Sequence, residues 1–150
     1  MIWRALLAFL ALPGMVAIAL PAWFAAGNLR AGGSFHPLGL LPLAAGFGLL
    51  LWCVRDFYVT GKGTLAPWSP PKQLVTTGLY RYSRNPMYVA VSVMLVGWAL
   101  SFMSGSLAIY AGIVMLAFHF RVILNEEPFL ARTHGALWDE YRARVPRWLL

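Results

Sequence analysis

Three long stretches of this chain contain no charged residue, and they decide what it can fold into. They cover residues 5–26, 38–54 and 86–120. An apolar α-helix needs about 20 residues to cross the hydrocarbon core of a bilayer, so the third stretch is long enough for two crossings. Hydrophobic residues make up 60% of the chain and charged residues 11%, which is outside the usual range of soluble domains. The sequence therefore predicts an integral membrane protein.

Four transmembrane helices account for these stretches. The serines and Gly105 within residues 101–106 favour a turn, which would split the third stretch into a hairpin. Pro13 and Pro21 should loosen the hydrogen bonding of the first helix. We expect an all-α polytopic fold, with residues 1–150 as a single domain and helices at about 5–26, 37–55, 86–103 and 106–124.

The basic residues lie almost entirely on one side of this arrangement. Arg30 is alone on the other side, and the remaining eleven are Arg4, Arg55, Lys62, Lys72, Arg81, Arg84, Arg121, Arg132, Arg142, Arg144 and Arg147. By the positive-inside rule, both termini, the loop 56–85 and the tail 125–150 should be cytoplasmic, in a bacterial inner membrane. We expect membrane lipids as partners and no nucleic acid, because the basic residues do not predict a soluble, aromatic-laced surface.

Two polar segments flank the predicted hairpin. Residues 72–88 end in Asn85 and Pro86, a good N-cap and a good first helical residue. The positive end of the helix dipole, beside Arg84, would favour an anionic group. On the local sequence alone, a plain helix start with an interfacial anchor is the favoured interpretation of these residues. The second segment holds Glu126 and Glu127, which would suit hydroxyl or cationic ligand groups or simply the first turn of a helix near Pro128.

The C-terminal tail carries apolar residues at roughly helical spacing in a polar background, and Gly135 is expected to interrupt it. This pattern predicts an amphipathic segment that either covers the cytoplasmic mouth of the bundle or anchors at the interface. Cys53 is the one cysteine, so no internal disulfide is possible. The three histidines have no metal-ligand spacing, and we expect no metal site.

An ordered set of motifs adds a resemblance. Leu74-Val75-Thr76-Thr77-Gly78-Leu79-Tyr80 leads into Arg84-Asn85-Pro86-Met87-Tyr88, and Glu126-Glu127 and Tyr141-Arg142-Ala143-Arg144-Val145-Pro146 follow the hairpin. Over about residues 55 to 150 the chain resembles the superfamily of isoprenylcysteine carboxyl methyltransferases and phospholipid methyltransferases.

The resemblance implies methyl transfer from S-adenosylmethionine to a lipid-like acceptor that arrives from the bilayer, with the tail covering the cofactor. The implied cofactor residues are Lys72, Gln73, Leu74, Val75, Tyr80, Asn85, Pro86, Met87, Tyr88, Glu126 and its neighbour Glu127. No catalytic side chain is assigned, because methyl transfer from a sulfonium depends mainly on alignment and desolvation.

Two departures from the superfamily leave the acceptor open. Asn85 stands where eukaryotic members have histidine, and it cannot titrate near neutrality. Arg121, a candidate substrate-binding residue, lies five positions before Glu126, whereas a spacing of four would place both on one helix face. A prenylcysteine carboxylate, an amine or a thiol would each be a possible acceptor. A nicotinamide-dependent membrane reductase and a non-enzymatic membrane partner protein are the alternative functions.

Overall fold

The computed structural model describes residues 10–60 and 73–149, and every regular element in these two ranges is a helix. Four helices form a bundle, and two short ones follow in the tail. In chain order the elements are a π-helical segment Leu10–Ala19, α1 (Leu20–Arg30), a 3₁₀ turn Pro37–Gly39, α2 (Leu40–Val59), a 3₁₀ turn Gly78–Arg81, α3 (Pro86–Phe102), α4 (Gly105–Arg121), a second π-helical segment Val122–Glu126, α5 (Glu127–His134) and α6 (Ala136–Arg144).

Two of the helical runs are long and apolar enough to cross a membrane. They are Pro37–Val59, with 23 residues and a mean hydropathy of 1.9, and Gly105–His134, with 30 residues and a mean hydropathy of 2.0. Pro86–Phe102 is apolar but shorter. The predicted all-α membrane fold is confirmed, while the number of four crossings stays a prediction.

The outer surface of α4 is apolar. Ile109, Ile113 and Leu116 are 67%, 62% and 56% exposed. Their spacing of four and then three residues puts them on one stripe of the helix. An apolar stripe of this kind on an exposed helix face suits contact with lipid chains.

The first π-helical segment is held by side chains from two neighbouring helices. Trp98 donates from Nε1 to the carbonyl of Ala17 over 2.9 Å, and the Tyr110 hydroxyl donates to the carbonyl of Val16 over 2.9 Å. Pro21 follows this segment and has no N–H, so it cannot donate to the carbonyls four and five residues before it, those of Ala17 and Val16. Polar side chains of α3 and α4 therefore satisfy carbonyls of the irregular backbone, as an apolar surrounding requires.

Glycines let α2 and α3 approach closely. A Cβ on Gly46 would lie 2.7 Å from the carbonyl oxygen of Ala90, and one on Gly97 would lie 2.6 Å from the amide nitrogen of Leu43. Small residues at such crossings let two helix backbones pack closely. This packing matters in a bilayer, because lipid chains are as apolar as the side chains and the hydrophobic effect does not favour contact between helices. This contact fixes the position of the first turn of α3, which matters for the site below.

The helix ends differ from the predicted ones at three places. The first helix continues past residue 26 to Arg30, while residues 5–9 lie outside the described ranges. The second continues past 55 to Val59, so that the predicted loop 56–85 begins only at residue 60. Helical structure continues past the predicted end at residue 124 to His134, and the bounds of that membrane crossing stay a prediction. The polar residues that follow residue 124 pair their side chains with one another and with the tail, so the helix can continue through this polar segment.

Two further predictions about helix ends are confirmed. α3 ends at Phe102 and α4 begins at Gly105, with Met103 in the left-handed region at φ 43° between them. The tail breaks at Gly135, where φ is 52°, a backbone conformation that glycine adopts without strain.

Candidate functional site

A cavity of about 590 Å³ opens at the end of the bundle where α2 ends, α3 begins and α4 ends. One wall is formed by residues 73–75 and by the start of α3. The opposite wall is formed by the second π-helical segment, α5 and Tyr141 of α6. The two polar segments that are separated by the α3–α4 hairpin in sequence therefore face each other across one space.

The part of the cavity within the bundle is apolar. Pro13 and Val16 of the first π-helical segment line it together with Val91 of α3 and Phe118 of α4. The Phe118 ring stacks on the Tyr88 ring, with 4.4 Å between their centroids. The cavity thus has an apolar end between the helices and a polar end at the mouth of the bundle.

Tyr88, Arg121 and Glu126 meet at the boundary between these two ends. The Tyr88 hydroxyl donates a short hydrogen bond to Glu126 Oε1, and Arg121 Nε donates to the same oxygen over 2.9 Å. Arg121 Nε also lies 3.1 Å from the Tyr88 hydroxyl, to which it donates. Both bonds to Glu126 end on Oε1, and among the described residues none donates to Oε2.

The second π-helical segment explains how Arg121 reaches Glu126. In a π-helix the hydrogen bonds run from residue i to i+5, and here the N–H of Glu127 donates to the carbonyl of Val122. The wider turn absorbs one extra residue, so a spacing of five places Arg121 and Glu126 on one face. The expectation that only a spacing of four would do so is wrong for this turn. Short π segments inside α-helices are often found at functional sites.

Arg84 lines the cavity with little exposure to solvent. Its side chain is 10% exposed, its guanidinium lies 5.4 Å from the centroid of the Trp138 ring, and Nη1 lies 3.0 Å from Glu127 Oε1. The geometry of that ion pair falls short of a hydrogen bond, and neither Nε nor Nη1 has a hydrogen-bond partner among the described residues. Burial lowers the pKa of Arg84, while the Glu127 carboxylate acts in the opposite direction. A buried, charged donor beside a cavity is suited to an anionic ligand group.

Glu127 points to the tail. Arg147 donates from Nε to Oε1 and from Nη2 to Oε2, each over 2.8 Å, which is a bidentate pair. This hydrogen bond raises the pKa of Arg147. Adjacent carboxylates therefore do different things: Glu126 lies in the cavity and Glu127 holds the C-terminal segment.

Asn85 precedes α3 as predicted, but its side chain does not cap the helix. Asn85 Nδ2 donates instead to the carbonyl of Arg147 over 3.0 Å, and the backbone N–H of Asn85 donates to Ser83 Oγ over 3.1 Å. The Asn85 amide thus supplies one of the hydrogen bonds to this part-buried carbonyl, and the Asn85 side chain is directed at the tail.

A small apolar cluster in the tail closes the outer wall. Trp138, Tyr141 and Val145 are buried and pack against Leu74 and Leu130. The Tyr141 hydroxyl donates to the carbonyl of Tyr80 over 2.8 Å. Burial raises the pKa of Tyr141 to about 12 and that of Tyr80 well above its ordinary value. Both phenols are neutral at physiological pH, so neither serves as a base.

The structure brings most of the predicted site residues together. Eight of the predicted cofactor residues line the cavity, as does the predicted substrate residue Arg121. Those eight are Gln73, Leu74, Val75, Tyr80, Asn85, Met87, Tyr88 and Glu126. Pro86 and Glu127 are not part of the lining. Lys72 lies outside the described residues.

Several lining residues were not predicted from the sequence. Leu130 and His134 follow Glu126 at intervals of four and could have been found by continuing that helical face. Phe118 precedes Arg121 by three residues on the same face. Pro13, Val16 and Phe57 carry no local signal, because they reach the cavity only through packing of distant helices.

Charge at the polar end is mixed, with an excess of cations. Arg84, Arg121 and Arg132 line the cavity beside Glu126. Within residues 10–60 and 73–149 no group of three or more His, Cys, Asp or Glu side chains is placed to hold a metal ion. The predicted absence of a metal stays a prediction.

The fold and the cavity define an all-helical membrane protein with a cavity at one end of its bundle. The chain belongs to the phospholipid methyltransferase family, whose sequence model matches residues 34–136. This match covers α2 to α5 and both polar segments, and it confirms the superfamily to which the motifs point. No curated protein and no solved structure is significantly similar to the chain. Family membership places the chain among membrane methyltransferases.

The π-helical segment leads to a deletion test. Removing Leu124, which is 66% exposed, should turn the five-residue turn into a regular α-turn and restore a spacing of four between Arg121 and the glutamate. The variant should keep its helix content and unfold within a few degrees of the wild type in detergent. Circular dichroism during heating measures both properties.

Deleting Ile113 provides the matched control. Ile113 is also exposed but lies in the regular part of α4, where the loss of one residue turns everything that follows by about 100° about the helix axis. This variant should be strongly destabilised. Equal damage from both deletions would contradict the interpretation of the π-helical segment.

Proposed function

We propose that the chain is an S-adenosylmethionine-dependent methyltransferase that modifies a lipid-like acceptor delivered from the bilayer. The observation that carries the proposal is the single cavity with a polar end and an apolar end, walled by residues 73–88 on one side and by residues 126–141 on the other. A water-soluble methyl donor and a lipid acceptor need such adjoining surroundings.

The polar end fits the groups of S-adenosylmethionine. Arg84 and the start of α3 would hold its carboxylate, because a buried guanidinium and a positive helix end both favour an anion. Glu126 Oε2 would accept from a hydroxyl or amino group. Leu74, Tyr80 and Phe57 supply apolar surface for a flat ring, and the rings of Tyr80 and Phe57 are 5.5 Å apart.

The chain's own residues would act by placement and by exclusion of water. When bound, S-adenosylmethionine would supply a methyl group already activated by its sulfonium. Tyr88 and Phe118 stack at the boundary of the two ends, where they would keep water from the reacting atoms. Proper alignment of two reactants accounts for a large part of such rate enhancements, and no covalent intermediate with the protein is needed.

Arg121 is our proposed contact for the polar head of the acceptor. Its Nε is engaged by Glu126 and Tyr88, which orients the rest of the guanidinium, and its side chain is 49% exposed. The cationic excess around the cavity favours an acceptor with an anionic group nearby. We propose that this end of the bundle faces the cytoplasm, where the methyl donor is available, because Arg81, Arg132, Arg142 and Arg144 are exposed there.

Ligand binding to purified protein in detergent tests the proposal. Isothermal titration should show micromolar binding of S-adenosylhomocysteine and none of reduced nicotinamide dinucleotide. Binding of the nicotinamide alone would indicate a membrane reductase, and binding of neither would indicate a partner protein. Transfer of a labelled methyl group to lipid extracts should then identify the acceptor class.

Glu126 provides a variant test of the same site. Glu126→Ala should weaken S-adenosylhomocysteine binding about 10-fold or more, the cost of losing a hydrogen bond to a charged group. Arg142→Ala is the control, since Arg142 is exposed and pairs only at 3.5 Å with its neighbour Asp139. Thermal unfolding of both variants checks the fold. An unchanged affinity of Glu126→Ala would remove this carboxylate from the site.

A further inference from the structure

The C-terminal segment is attached to the start of α3 by a set of polar contacts. The backbone N–H of Arg84 donates to the carbonyl of Pro146 over 2.9 Å. Ser83 Oγ and Asn85 Nδ2 both donate to the carbonyl of Arg147, over 3.3 Å and 3.0 Å. Glu127 receives both hydrogen bonds of the Arg147 guanidinium. We call these contacts the tail latch.

The latch lies partly at the cavity, because Arg84 and Asn85 line it, and partly outside its lining. Glu127 and Arg147 are absent from its lining, whereas Asn85 and Tyr141 line it. Glu127 is 16% exposed and Arg147 is 34% exposed at the side chain, so the carboxylate is mostly shielded from solvent and the guanidinium is partly shielded. A shielded bidentate pair is costly to break, because each charge would be left without its partner.

We propose that Glu127, Asn85 and Arg147 are positioning residues that keep the C-terminal segment closed over the cavity and so set how long a bound ligand stays. The contacts assign these roles, because the Glu127 carboxylate and the Asn85 amide both bind the tail. The tail in turn supplies Tyr141 to the cavity wall. Segments that close over sites commonly govern the release of their ligands. The inference rests on the proposed function, since it assigns these residues to the same methyl-donor site.

A double-mutant cycle tests the latch. Glu127→Gln, Arg147→Met and the double variant are purified in detergent, and the dissociation rate of S-adenosylhomocysteine is measured by stopped-flow fluorescence. Each single change should speed dissociation about 10-fold, and the double variant should be no faster than the single ones. Arg147→Lys, which keeps the charge but offers no bidentate fork, should fall between Arg147→Met and the wild type.

Hydrogen exchange of the tail supplies the second readout, in the absence of ligand. Amides of residues 136–149 should exchange faster in both single variants, while those of α2 and α3 should not change. Arg142→Met, on the same tail, should leave both the exchange and the dissociation rate as in the wild type. Thermal unfolding reports any general loss of the fold.

The outcomes separate the two proposals. The latch would be overturned if the effects of Glu127→Gln and Arg147→Met on the dissociation rate multiplied in the double variant. Glu127 would then affect the ligand independently of Arg147. Unchanged tail exchange, or faster tail exchange with unchanged dissociation, would also overturn it. If the wild type binds no S-adenosylhomocysteine, the proposed function fails instead, and the tail exchange of the same variants still shows whether the ion pair holds the segment.

Discussion

The contact of Tyr88 and Arg121 with Glu126 joins the start of α3 to the end of α4, and the shape of the cavity depends on it. Tyr88 lies where the α3–α4 hairpin begins in the chain, and Arg121 and Glu126 lie where it ends. Their contact requires that both polar segments lie at the same end of the bundle. Close packing of α2 on α3 at Gly46 and Gly97 places the first turn of α3. The wider π turn then orients Glu126 towards Tyr88 in that first turn.

Two adjacent glutamates divide the site into an inner and an outer part. Glu126 lines the cavity, next to apolar side chains, and its Oε1 accepts hydrogen bonds from Tyr88 and Arg121. Glu127 faces Arg84 and Arg147 and secures the tail. A resemblance at the level of motifs treats the pair as one unit, whereas in the structure Glu126 lines the cavity and Glu127 pairs with the tail.

Local sequence chemistry predicted the features that depend on neighbouring residues. The start of α3 at Pro86, the turn before Gly105 and the break at Gly135 each follow from residues with strong backbone preferences. The apolar runs predicted the membrane class for the same reason, since bilayer thickness sets the length that a helix needs.

Features that depend on distant partners were not predictable in this way. Asn85 Nδ2 donates a hydrogen bond to a carbonyl 62 positions away, and the Glu127 carboxylate is oriented by an arginine 20 positions away. The π-helical turn and the continuation of the helix to His134 depend on such pairings, which periodicity does not register. The motif resemblance named two segments that line the same cavity, because a family motif records residues from both segments together.

The central claim is that residues 73–88 and residues 126–141 enclose one methyl-donor molecule. Photo-crosslinking with an S-adenosylmethionine analogue that carries a photoreactive group on the adenine, followed by peptide mapping, tests it directly. The account predicts label in both segments, with unlabelled S-adenosylhomocysteine suppressing both. Label restricted to one segment, or found at the opposite end of the bundle near Arg30, would contradict it.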